Sequence, residues 1–281
     1  MSEFWNWWQH LPSHISPVLF HIGPVRVQYY GLMYIVAFAI TYALVAIRLK
    51  RGEGPDMSSE QLQSLFTAMI VGLLVGARFG YVVFYNFAYY LQHPLEVILP
   101  FNFSNGIHYT GIAGMSFHGG GIGITVAVWL YTRKTKFSFL QVADLIAPNI
   151  PLGYTFGRIG NFINGELYGR ITDKPWGMYF PQAPSPALRH PSQLYEAFFE
   201  GIFLFSILWI IRNRVRTPGA MLASYLIGYG VIRFVIEFFR QPDAQLGFIL
   251  PGFSMGQILC TAMILIGTGA LFYLRRKAPV Q

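Results

Sequence analysis

Apolar residues run along this chain in stretches of about twenty, broken by short polar connections. About twenty residues is what a helix needs to cross a hydrocarbon layer ~30 Å thick. Seven stretches meet that length, at about 29–47, 62–85, 115–132, 139–157, 194–211, 219–239 and 253–274. The pattern predicts an all-α integral membrane protein with seven transmembrane helices in one polytopic membrane domain over residues 1–281. The fourth stretch is interrupted by Asp144, Pro148, Asn149 and Pro151. Irregular backbone at that depth is tolerated only inside protein or beside water, so this span is expected to line a cavity.

The basic residues orient the bundle. Arg48, Lys50 and Arg51 follow the first stretch, and Arg133, Lys134 and Lys136 follow the third. Arg212, Arg214 and Arg216 follow the fifth, and Arg275, Arg276 and Lys277 follow the seventh. These twelve of the twenty Lys and Arg fall on every second connection, the positive-inside pattern. The N-terminus is therefore expected outside and the C-terminus in the cytoplasm. The longer connections, about 86–114, 158–193 and 240–252, fall on the outer side and are expected to form a small external cap. Trp5, Trp7 and Trp8 suit an interfacial aromatic segment ahead of the first span.

Composition agrees: 54% of residues are hydrophobic and 11% charged, against roughly 25% charged in soluble domains. The net charge of +8 would suit nucleic acid, but its distribution reads as a topology signal and excludes that partner. No internal repeat accompanies the single broken helix, which counts against a secondary transporter. A lone cysteine, Cys260, precludes an intrachain disulfide and reads as packing; no His or Cys spacing resembles a metal site.

Hydrophobicity does not explain several polar residues. Arg78, Arg158 and Arg233 sit inside predicted spans or at their outer ends, where a charge costs at least ~2.5 kcal/mol and needs a partner or a job. Arginine's planar fork matches phosphate oxygens two at a time, so a phospholipid phosphate is one ligand such a set would hold. Tyr229, Arg233 and Glu237 are spaced i, i+4, i+8 and form a polar stripe that Arg240 continues; Glu237 as a simple counter-charge to Arg233 is the plainer account. Arg158, Asn161, Asn164 and Glu166 crowd a glycine-rich segment where the fourth span ends, which reads as a ligand site or as a helix cap with its loop. His118 begins the third span beside Gly119, Gly120 and Gly121. With an ordinary pKa near 6.5 it is a natural base at neutral pH, although lone histidines are more often structural.

Several blocks together carry a family likeness. Gly157 through Gly169 (GRIGNFINGELYG) resembles the signature of the prolipoprotein diacylglyceryl transferases. So do Tyr29-Tyr30-Gly31-Leu32-Met33-Tyr34, SFHGG around His118, and Arg189-His190-Pro191-Ser192-Gln193-Leu194-Tyr195-Glu196. Gly228-Tyr229-Gly230 with Arg233, Glu237, Phe238 and Arg240, then Gln241-Pro242-Asp243-Ala244-Gln245, complete the order from residue 22 to about 257. The resemblance implies a seven-helix enzyme of the bacterial cytoplasmic (inner) membrane, with its active site toward the outer leaflet and no cofactor or metal. It implies transfer of diacylglyceryl from phosphatidylglycerol to the lipobox cysteine thiol of prolipoprotein signal peptides, forming a thioether and releasing glycerol phosphate. By family role, His118 and Tyr229 match residues needed for activity, and Arg158 and Arg233 match those that bind lipid phosphate. Tyr30, Asn161, Glu166, Gly169, Glu237 and Arg240 fall on supporting positions. Gln28 departs from the histidine expected in some relatives.

Overall fold

The computed structural model describes residues 3–23, 25–99, 101–102, 108–109, 114–241, 248–250 and 253–277. The Pro242-Asp243-Ala244-Gln245 block and most of the 240–252 connection lie outside the described residues. The chain is mostly helical. In order, it forms α1 (Glu3–His10), the hairpin β1 (Val18–Ile22) and β2 (Val25–Gln28), α2 (Tyr29–Lys50), α3 (Ser59–Tyr85) and α4 (Phe87–Gln92). The pair β3 (Phe101–Asn102) and β4 (His108–Tyr109) precedes α5 (Phe117–Thr135), α6 (Phe139–Ile146) and α7 (Ile150–Asn164). Then come α8 (Ser192–Ile211), α9 (Ala220–Ile236), the pair β5 (Phe248–Leu250) and β6 (Phe253–Ser254), and α10 (Met255–Lys277).

Each of the seven apolar stretches is helical, the fourth as two helices. Four of them, Tyr29–Lys50, Ser59–Tyr85, Ser192–Ile211 and Met255–Arg276, are long and apolar enough to cross a membrane by length and composition; Ala220–Ile236 is apolar but shorter. The burial pattern is that of a lipid-facing protein: Phe79 is 64% and Leu265 67% exposed, while Glu196 and Glu200 are 0% exposed. The predicted interruption of the fourth span is real. Between α6 and α7 the chain turns through a short 3₁₀ segment, Ala147–Asn149, all three residues buried. Helix α7 then runs seven residues past the predicted boundary of 157, so Arg158 and Asn161 lie within a helix and not in a loop after it. It stops at Gly165, whose φ of +69° is the left-handed conformation that only glycine adopts freely at a helix end.

The chain divides into two compact units, residues 1–53 with 143–281, and residues 54–142. In the second unit, the Ser58 hydroxyl accepts from the Gln61 backbone while Gln61 answers the Ser58 N–H, a capping box that starts α3. Helix α3 packs on α5 through glycines: a Cβ on Gly76 would sit 2.7 Å from the Gly123 Cα. Arg78 is held within this unit. Its guanidinium donates to the carbonyls of Val97 (2.8 Å), Gly114 (3.3 Å) and Glu96, and lies 5.0 Å over the Tyr90 ring.

The first unit carries a polar knot at each end of α8. At one end Glu53 joins Arg48 (3.2 Å) and Arg212 (3.0 Å). Arg48 also donates to the carbonyls of Asp144 and Leu145, and the Asp144 carboxylate caps α9 by accepting from Gly219 (2.6 Å) and Leu222 (2.8 Å). Burial pushes the Glu53 carboxyl up, but the hydrogen bonds and charges of Arg212 and Arg48 outweigh it and hold the group below the usual carboxylate range. The other knot surrounds Glu196. Sixteen residues of α8 separate Glu196 from Arg212, about 24 Å at 1.5 Å per residue.

Candidate active site

Three helices of the first unit face one another at the Glu196 end. Tyr154, Arg158 and Asn161 fall at i, i+4 and i+7 of α7, on one face. Tyr229 and Arg233 share a face of α9, and Glu237 and Arg240 follow in the turn beyond it. Between them α8 contributes Glu196 and Glu200, both within a π-helical stretch, Glu196–Phe203, the kind of local irregularity that recurs at functional sites.

The contacts centre on Glu196. Its Oε2 is 2.8 Å from Arg158 Nε and its Oε1 is 2.9 Å from Arg233 Nη1, with Arg240 Nε at 3.8 Å. Arg233 also reaches Glu237 (2.8 Å) and, more loosely, Glu200 (3.4 Å). Arg158 donates to the Asn161 side chain at 3.0 Å and stacks 4.5 Å over the Tyr154 ring. The Tyr154 and Tyr229 rings meet edge to face at 5.9 Å, so Tyr229 borders the cluster. Three arginines and three glutamates thus meet where the arginine side chains are only 11–13% exposed. Charge buried to this extent has to stay paired, since removing one partner of a buried pair costs about 3–5 kcal/mol.

A layer of supporting contacts surrounds them. The Asn161 amide donates to Glu166 at 2.8 Å, joined by Asn164 at 3.3 Å, and Gln193 donates to the Glu166 carbonyl at 2.6 Å. The Ser254 hydroxyl donates to Glu237 at 2.9 Å. The Tyr30 ring packs on α7 where Gly160 leaves room, 3.0 Å from the position of an added Cβ, and its hydroxyl meets Tyr34 at 3.1 Å. Gly169 pairs with His190 through its N–H (2.8 Å) and bridges to Arg240. A Cβ there would lie 2.5 Å from the Phe239 carbonyl and 2.7 Å from His190, so three backbone segments close up only around a glycine. His190, in that loop, is shifted below its ordinary pKa by burial and by Lys174.

Of the residues singled out in the sequence, the fold brings together Arg158, Asn161, Glu166, Gly169, Tyr229, Arg233, Glu237 and Arg240, with Tyr30 beside Gly160. His118 belongs to the second unit, exposed in the first turn of α5, whose N-cap Ser116 accepts from the Gly119 N–H. Arg78 lies in the second unit, where backbone carbonyls accept from it, and within the first unit Arg240 is the third arginine of the cluster. Glu196 and Glu200 were not singled out. Two acids four residues apart in an apolar stretch are the signal that marks them, because intramembrane carboxylates are costly without a role. Among the described residues no three His, Cys, Asp or Glu are grouped to hold a metal ion. Each carboxylate in the cluster faces an arginine instead.

The sequence profile of the prolipoprotein diacylglyceryl transferases matches residues 17–273. A phosphatidylglycerol–prolipoprotein diacylglyceryl transferase of Chlorobaculum tepidum is 55% identical over 279 residues, 99% of this chain and 96% of that one. Proteins of the same name from Bordetella parapertussis (46% identity; 93% of this chain, 96% of the relative) and Idiomarina loihiensis (45%; 98% of each) are similar as well. The chain belongs to the prolipoprotein diacylglyceryl transferase family.

Proposed function

We propose that this membrane transferase moves the diacylglyceryl group of phosphatidylglycerol onto the thiol of a lipobox cysteine in prolipoprotein signal peptides, with the lipid phosphate held at Arg158 and Arg233. The observation that carries this reading is the convergence of those two guanidiniums, from separate helices, on the two oxygens of Glu196. One carboxylate thus holds both guanidiniums side by side, as a phosphate group's two oxygens would be met.

The chemistry runs as a displacement. The cysteine sulfur attacks the glyceryl carbon, the carbon–oxygen bond to phosphate breaks, and glycerol phosphate leaves. A thiol with a reference pKa near 8.5 is mostly neutral at pH 7, and the thiolate is the reactive form. His118 or Tyr229 takes the thiol proton; a phenol with an ordinary pKa of ~10 is the poorer base. Charge that develops on the leaving phosphate is met by the preorganised arginines, an effect typically worth about 3 kcal/mol per contact.

The same reading places the enzyme in the bacterial inner membrane with seven spans, the N-terminus outside, and the Glu196 cluster toward the outer leaflet. Arg48 and Arg212, two of the residues of the positive-inside pattern, meet at Glu53 on the opposite end of α8, which supports this orientation. Incubating the purified protein with labelled phosphatidylglycerol and a lipobox peptide tests the reaction. The expected product is a peptide carrying thioether-linked diacylglycerol. Release of glycerol phosphate that ignores the peptide's cysteine would instead indicate a different phospholipid head-group enzyme.

A further inference from the structure

We infer that Tyr154 is a positioning residue for the transfer: its ring fixes the tilt of the Arg158 guanidinium and so sets how that arginine meets the lipid phosphate. This deepens the reading of Arg158 and Arg233 as the phosphate site and rests on it. The two arginines are held differently. Arg233 is paired with three carboxylates, Glu196, Glu200 and Glu237. Arg158 pairs with Glu196 through Nε at 2.8 Å and donates to the Asn161 side chain through Nη1 at 3.0 Å. Its guanidinium carbon lies over the Tyr154 ring, 4.5 Å from the ring centre.

A guanidinium carries all its N–H donors in its own plane, so a ring under its carbon uses none of them. The contacts to Glu196 and Asn161 fix two points of the fork but leave it able to tilt about the line that joins them. The ring opposes that tilt. The negative face of an aromatic ring attracts a cation placed over it, most strongly where water is excluded, and the Arg158 side chain is 13% exposed. Tyr154 is itself well held. It sits one turn before Arg158 on α7 and meets the Tyr229 ring edge to face at 5.9 Å. Its neighbour Thr155 donates to the Ala197 carbonyl of α8 at 3.1 Å, where Gly201 leaves room. The Tyr154 hydroxyl is less committed: it reaches Glu196 at 3.4 Å and is shared with Glu200 and Tyr229. The ring is therefore the part that acts on Arg158.

The test replaces Tyr154 in the full chain by phenylalanine and by its mono-, di- and trifluorinated forms. Fluorine drains the negative face of the ring and leaves its size nearly the same. Transfer from labelled phosphatidylglycerol to a lipobox peptide is measured in detergent, with thermal unfolding alongside. Tyr154→Phe, which keeps the ring, is expected to keep most of the activity. Each added fluorine is expected to slow transfer, to roughly a tenfold loss for the trifluorinated ring, in kcat and not in KM for the peptide, at a constant unfolding midpoint. Tyr154→Leu is expected to be at least as slow. A rate that ignores fluorination overturns the inference whether or not Tyr154→Leu folds, and so does a loss that only tracks a falling midpoint. A Tyr154→Phe as slow as the trifluorinated form also overturns it, because the hydroxyl would then do the holding. These outcomes leave the phosphate reading standing while Arg158→Lys stays slow; an Arg158→Lys at wild-type rate removes that reading, and the inference with it.

Discussion

Arg158 on α7 lies 2.8 Å from Glu196 on α8, with the Arg side chain 13% and the Glu side chain 1% exposed. The same carboxylate holds Arg233 at 2.9 Å, so replacing it affects two helices at once. Glu196→Gln keeps the shape but takes the carboxylate from Arg158 and leaves Arg233 to Glu237 and the looser Glu200. A loss of about 3 kcal/mol or more in stability is expected. Thermal unfolding in detergent reads that loss, and an unchanged midpoint would show that Glu196 is not the joint of the cluster.

Gly169→Ala is expected to disrupt the site without touching any charged group. Its methyl would press on the Phe239 carbonyl at 2.5 Å and on His190 at 2.7 Å, both held by backbone pairing. Overpacking of this kind costs about 1–3 kcal/mol, and the strand segments carrying Arg240 must shift to relieve it. Activity of a folded Gly169→Ala equal to that of wild type would contradict this account.

Much of the fold was legible because its cause is local. Length and apolarity mark helices, proline broke the fourth at Ala147–Asn149, and the i, i+4 spacing of Arg233 and Glu237 became a 2.8 Å ion pair. What stayed hidden depends on distant partners. Glu196 finds Arg158 thirty-eight residues earlier and Arg233 thirty-seven later, and no local periodicity encodes that meeting. The carbonyl partners of Arg78 were hidden too, because position in a span does not reveal which carbonyls a loop will offer. The extent of α7 was misjudged for a related reason: its glycines read as an early stop, whereas Gly165 alone takes the left-handed turn.

The loops at 48–53, 133–137 and 212–217 and the tail at 275–281 are expected in the cytoplasm. Cysteines introduced at Gly54 and Thr135 should resist an impermeant thiol reagent in intact cells, and one at the exposed Gln182 should react. Labelling of either of the first two before lysis would refute the orientation.

Cys260 is buried at 3% exposure on α10, and the acceptor thiol of the proposed reaction belongs to the substrate. Cys260→Ser is expected to retain activity, since a serine within a helix can bond its hydroxyl to a carbonyl of the preceding turn. Strong zinc chelators are expected to have no effect on turnover. Loss of activity under either treatment would remove the mechanism as written.

The central claim is that Arg158 and Arg233 hold the lipid phosphate as forks and not as bulk positive charge. The most direct measurement is the rate of diacylglyceryl transfer from labelled phosphatidylglycerol to a lipobox peptide by purified wild type, Arg158→Lys and Arg233→Lys, each shown to be folded. Lysine preserves charge but is a point charge on a flexible stem, so each variant is predicted to be slower by roughly a hundredfold or more. Near wild-type rates in both lysine variants would contradict it.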